Sequence, residues 1–249
     1  MTDFTGPAFA PYRDLLVHLH GEKSLDALND LAAHLGVRHG DKPLRFANPP
    51  GPSSAAQYEQ GIAASGIVPT RKDNPHDFLN ALVWLRFPGL KTALNLRHCR
   101  ILSQQPGEET QRGKVRDRLT LLDESGMLVI SSDPGLHELL RAREWGKLFW
   151  EARARVARDM HFIVVGHGLL EKCLTPFPGM TAKCLFIESG ECGLERIDTL
   201  AAERMQTDET PDLPPLPVLG IPGWDDNANP GYYCNTKIFR PARTSPPAA

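Results

Sequence analysis

Residues 74–84 read Asn74-Pro75-His76-Asp77-Phe78-Leu79-Asn80-Ala81-Leu82-Val83-Trp84, and their reading decides the class of fold. Asn74 suits a helix N-cap. Pro75 suits the first helical position, where its missing N–H is no loss, and Asp77 the third, where a carboxylate offsets the positive end of the helix. The run that follows is the most apolar helix-like segment of the chain, with His76, Asp77 and Asn80 along one edge. A buried helix with one polar stripe predicts a mainly helical protein and marks where a site would lie.

Downstream, Phe87-Pro88-Gly89 ends this helix, and a second is expected over about 90–105. Leu90, Ala93, Leu94, Arg97 and Ile101 share one of its sides, and Lys91, Asn95 and His98 another. Offsets of three and four put such residues on one face, and a short link favours antiparallel packing, so the two polar stripes can converge. Residues 104–112 form a polar loop by composition. Arg118–Leu122 and Met127–Ser131 flank Asp123-Glu124-Ser125-Gly126, which reads as a β-hairpin with Gly126 at positive φ. Asp133-Pro134 opens another helix.

Residues 161–166 admit two readings, a strand turned by Gly166-His167-Gly168 or part of a long buried helix, because short apolar runs have no decisive period. In both, 169–174 is helical and His167 and Glu171 lie four apart on one face. Residues 183–188 read as a strand, 197–205 as a helix and 206–217 as an acidic, proline-rich linker.

Upstream, leucines at helical spacing over 11–39, a cap at Ser24, a loop at 48–54, a short helix over 55–64 and extended chain at 66–71 complete the pattern. The expected fold is α+β, a mainly helical single domain with a small antiparallel or mixed sheet that includes the 118–131 hairpin. Its parts are an N-terminal helical segment (1–46), a main domain (56–241) and a flexible tail (242–249).

At 249 residues, with 41% hydrophobic and 23% charged residues, the chain can bury a sizeable core. A formal net charge of −2 gives no overall bias towards nucleic acid or anionic membranes. Residues 86–118 nonetheless hold eight basic side chains (Arg86, Lys91, Arg97, Arg100, Arg112, Lys114, Arg116, Arg118) against three acidic ones. Such a run is either a solvated face or an anion contact. Five cysteines without a C-x-x-C pair, no secretory signal and no apolar run near 20 residues lead to the expectation of a cytoplasmic protein with no membrane span.

There is no nucleophile elbow, P-loop, dinucleotide fingerprint or H-E-x-x-H. Asp225, Asn227 and Asn229 imitate the start of a calcium loop, but Thr236 stands where the bidentate glutamate belongs, so 225–231 reads as a turn. The candidate catalytic residues are His76, Asp77, Asn80, His98, His167 and Glu171. The candidate substrate contacts are Arg71, Lys72, Lys91, Asn95, Arg116 and Lys183. Imidazoles beside carboxylates serve acid/base chemistry, and His76, Asp77, His167 and Glu171 are also a donor set for a divalent metal. The positive helix end at His76, with Arg71 and Lys72 upstream, favours an anion instead. Asp77 also has a purely structural role open to it, as a helix-terminal carboxylate.

Several groups of residues resemble a bacterial family known as domain of unknown function 3025. They are Val68-Pro69-Thr70-Arg71, Asn74 with His76-Asp77 and Asn80-Ala81-Leu82, Arg116-Asp117 with Asp123-Glu124, Gly166-His167 with Glu171-Lys172, and Pro217 to Trp224 with Phe239-Arg240-Pro241. The resemblance covers roughly 56–241 and implies no established activity. From the residues themselves, the leading expectation is a hydrolase-like enzyme acting on an anionic, phosphate-containing substrate. The alternative is a non-catalytic module for a small anion or a nucleic-acid backbone. Cofactor and oligomeric state stay open.

Overall fold

The structure is a computed structural model, and it describes residues 3–103, 109–191, 193–207 and 209–242. Of the expected loop at 104–112, residues 109–112 are the first turn of a helix and the rest lie outside those residues, as does the tail at 242–249 except for residue 242. In chain order the elements are α1 (Arg13–His18), α2 (Leu25–His34), β1 (Arg38–His39), β2 (Lys42–Pro43), β3 (Arg45–Ala47), α3 (Ala55–Ser65), β4 (Ile67–Pro69), α4 (Pro75–Arg86) and α5 (Pro88–Ser103). Then follow α6 (Glu109–Ser125), β5 (Gly126–Ser131), α7 (Pro134–Arg141), α8 (Arg153–Asp159), β6 (His161–Val164), α9 (His167–Lys172), β7 (Thr181–Glu188), α10 (Leu194–Gln206) and β8 (Pro215–Pro217). The fold is α+β and mainly helical, and one hydrophobic core runs from Ala8 to Phe239.

The caps form as the local chemistry dictates. Ser24 accepts from Ala27 N, Asn74 from Asp77 N and Asp133 from Gly135 N, each satisfying a helix-start N–H that has no partner within the helix. Phe78 to Leu85 are all buried, so α4 is a core helix. The main sheet has the order β6-β5-β7-β8, with β5–β7 parallel and its other pairs antiparallel. All six residues of β5 are buried, as expected of a central strand covered on both faces. Residues 161–164 are therefore a strand.

The expected hairpin at 118–131 is not there. Residues 118–125 are the last two turns of α6, which runs straight into β5. Leu119 and Leu122 are fully buried while Thr120 and Leu121 face outward, a helical stripe with spacing of three that four consecutive residues cannot distinguish from a strand. Gly126 does not have positive φ. Its role is space: a Cβ there would lie 2.2 Å from the Leu122 carbonyl oxygen.

Gly166 repeats that logic across the sheet, since its Cβ would lie 2.3 Å from Gly126 N. Gly166 N and Val165 N both donate to Gly126 O, at 2.9 and 3.0 Å. Two glycines thus let the α6–β5 junction abut the β6–α9 junction. With α4 packed on α9, the start of α4, the end of α6 and α9 meet at one end of the sheet.

The basic run at 86–118 does not form one exposed face. Lys91 and Arg97 are each only 4% exposed, and Arg86 pairs with Asp14. No helix among the described residues is long and apolar enough to cross a membrane.

Candidate active site at a histidine and carboxylate cluster

His76 stands in the first turn of α4, where the Asn74 cap and Pro75 fix the chain entry. Its Nδ1 is 2.8 Å from Glu171 Oε2, and its ring centroid lies 4.5 Å from that of His167 in an edge-on contact. His167 and Glu171 share one face of α9, as their spacing requires. Glu124, in the last turn of α6, closes the group: its Oε1 is 3.4 Å from His167 Nε2 and 4.0 Å from His76 Nε2. On the far side of His167, Nδ1 faces Asp123 Oδ2 at 3.8 Å and has no hydrogen-bond partner.

Each imidazole therefore stands between two carboxylates, with both Nε2 atoms facing Glu124. One ligand atom each from His76, Glu124 and His167 lie within 4.8 Å of one another. The adjacent His167 holds the Glu124 carboxyl below its ordinary range, against the opposing effect of partial burial. An open pocket of about 450 Å³ at the cluster is lined by His76, Glu124, Ser125, Gly168, Glu171, Lys172, Thr175 and Phe177.

Gly168 matters here because a Cβ at that position would fall 2.5 Å from Glu124 Oε2. Glycine on both sides of His167 is thus explained by close approach of α6: Gly166 admits its backbone and Gly168 its glutamate.

The other candidates fall elsewhere. Asp77 accepts from Arg71 Nε, Nη2 and backbone N at 2.8 to 2.9 Å, so Arg71 and Asp77 satisfy each other. Burial raises the Asp77 carboxyl, but these bonds hold it below the usual carboxylate range. Asn80, Lys91, Asn95 and His98 belong to a buried polar network behind the cluster. Lys91 Nζ donates to Asn80 Oδ1 at 2.9 Å, pairs with Asp123 and lies over the Trp84 ring. Asn80 Nδ2 donates to Tyr58 Oη at 3.2 Å. Asn95 Nδ2 donates to Glu59 Oε2 at 2.6 Å, while its Oδ1 is 2.8 Å from His39 Nε2. His98 shares this space with Asp123, and burial lowers its pKa.

Lys72 and Arg116 are exposed, and Lys183 sits on β7 opposite Gly126; none lines the His76 pocket. Three residues of the arrangement were outside the sequence candidates: Glu124, Asp123 and Lys172. Reading 123–126 as a turn hid the first two. The signal that would have found them is the spacing Val115, Leu119, Leu122, which makes 123–124 the end of a helix.

A cavity of about 930 Å³ between α5, α10 and residues 35–40 is away from these histidines. Asp198 there has a structural role, accepting from Gly89 N and Leu90 N at 2.8 Å at the start of α5. In the 225–231 turn, Asn227 is fully buried and donates to the Leu219 and Ile221 carbonyls, so it is a scaffold residue.

A family model described as protein of unknown function (DUF3025) matches residues 44–243, and the chain belongs to that family. No curated protein and no solved structure matches the chain.

Proposed function

We propose that this member of the DUF3025 family is a hydrolase-like enzyme whose reacting water is held between His76 and Glu124, and that its substrate is anionic and phosphate-containing. The observation that carries the reading is the convergence of both Nε2 atoms on Glu124 Oε1 at the mouth of an open pocket, with a carboxylate behind each ring. The hydrogen bond to Glu171 places the His76 proton on Nδ1 and leaves Nε2 as the base. The 4.0 Å gap to Glu124 suits one water bonded to both groups. In the step, the water proton passes to His76 Nε2, its oxygen bonds to phosphorus, the P–O bond to the leaving group breaks, and that oxygen takes a proton from the imidazolium or from solvent.

Lys172 supplies the pocket's positive charge, since Arg71 and Lys91 are bound to Asp77 and Asp123. Free, buried Cys173 and Cys184 fit a reducing compartment, and we place the enzyme in the cytoplasm.

A binding module remains the second reading, because a separate pocket of about 280 Å³ is lined by Arg143, Lys237 and Arg240 with no carboxylate. A panel of phosphomonoesters, phosphodiesters and nucleic acids separates the two. The enzyme reading expects turnover that Glu124→Gln abolishes. The module reading expects phosphate binding without turnover, weakened by Lys237→Ala.

A further inference from the structure

We infer that His76, Glu124 and His167 bind one divalent first-row metal ion, zinc being the best match, with Glu171 and Asp123 as the outer carboxylates that orient the two imidazoles. This deepens the hydrolytic reading above, rests on it for its purpose and revises its base: with the ion bound, His76 Nε2 is a ligand and the ion activates the water. The binding itself stands on geometry.

The protons available to the two rings are too few for their carboxylate neighbours. A neutral imidazole carries one N–H. The 2.8 Å contact to Glu171 uses that of His76, so its Nε2 lone pair faces a carboxylate oxygen. His167 meets carboxylates from both sides, at 3.4 and 3.8 Å, so in either neutral tautomer one lone pair opposes a carboxylate, which a second proton or a metal cation relieves. His167 is only 6% exposed, which denies it water to relieve the conflict. A cation between the two Nε2 atoms and Glu124 turns three opposed lone pairs into three ligands, and leaves both Nδ1–H groups for Glu171 and Asp123. Carboxylate behind imidazole behind metal is the usual outer arrangement of such centres.

Distance and charge agree. Metal–ligand bonds of about 2.0–2.1 Å at tetrahedral angles separate ligand atoms by roughly 3.4 Å. The 3.4 and 4.0 Å separations need a contraction of well under 1 Å and the remaining imidazole pair, within 4.8 Å, at most about 1.4 Å, at side chains that are 33% and 43% exposed for His76 and Glu124. Against Lys172 and the positive end of α4 stand Glu124 and Glu171, so the pocket carries excess negative charge until a cation enters. That excess would repel an anionic substrate. With the ion bound the sign reverses, and two imidazoles plus one carboxylate leave a fourth position open to water on the pocket side.

The test is zinc binding by equilibrium dialysis and metal analysis on the full chain after chelator treatment. The wild type is expected to take up one zinc per chain and to gain several degrees in Tm. His167→Ala and Glu124→Gln should lower affinity by at least 100-fold, and Glu171→Gln by about 10–100-fold. Glu124→Gln keeps size and shape at a half-exposed position, so it is folded even if His167→Ala is not. Wild type that takes up no zinc, or Glu124→Gln that binds it as the wild type does, overturns the inference. Zinc uptake without turnover would leave the metal site standing and sink the hydrolase. Turnover by protein that takes up no zinc would do the reverse.

Discussion

Glu124 and Gly168 are in contact because one of them has no side chain: a Cβ on Gly168 would lie 2.5 Å from Glu124 Oε2. The glutamate can face His167 Nε2 at 3.4 Å only with that space left open. Gly168→Ala should therefore push the carboxylate aside and reduce turnover and zinc affinity by about 10–100-fold. Its stability should fall by about 1–2 kcal/mol, because the added Cβ also meets the Glu124 carbonyl oxygen at 3.0 Å, a contact that must give by a few tenths of an ångström. Gly166→Ala is the contrast. Its Cβ would meet backbone atoms of Gly126, Ser125 and Glu124 at 2.3 to 2.7 Å, which cannot yield, so a loss of more than about 3 kcal/mol is expected. Urea unfolding of the two variants measures the difference.

Lys91 holds the network behind the cluster. Its ammonium bonds Asn80 and pairs with Asp123, and it is 4% exposed. Lys91→Met keeps the packing over Trp84 but leaves Asp123 unpaired, for an expected loss of about 3 kcal/mol. Removing both charges in Lys91→Met with Asp123→Leu should recover part of it. A double-mutant cycle by urea unfolding reads the coupling.

Burial pushes the Glu59 carboxyl up from its ordinary 4.5 to about 7. The folded protein therefore keeps a proton that the unfolded chain releases, and stability falls as pH rises from about 4.5 to about 7, then levels off. Glu59→Gln has no proton to lose and can still accept from Asn95. It should melt with the wild type near pH 4.5 and be more stable at pH 8 by about 1–3 kcal/mol, partial exposure reducing the full effect. Equal stabilities at pH 8 would contradict this account of the network.

The parts of this protein legible in its sequence are those that local chemistry determines. Asn74, Pro75 and Asp77 announce α4, Ser24 announces α2, and the apolar alternatives around β7 leave little choice. The hairpin expected at 118–131 shows the limit: Leu119 to Leu122 alone is too short to carry a period, and the helix shows only when Val115 is counted with them, at offsets of four and three. His76 and Glu171 were candidates for their chemistry, yet they meet across 95 residues of chain, a distance over which no spacing rule operates. Glycines 166 and 168 held the missing information, since glycine beside a buried histidine signals that something comes close.

The most direct test of a hydrolytic centre at Glu124 is kcat of wild type and Glu124→Gln on the best phosphate ester found, with both melting temperatures recorded. Glu124 positions the reacting water, so the variant should lose at least about 100-fold in kcat while its Tm stays within a few degrees. Equal kcat in the two proteins, or a loss matched by collapse of the fold, would contradict the assignment.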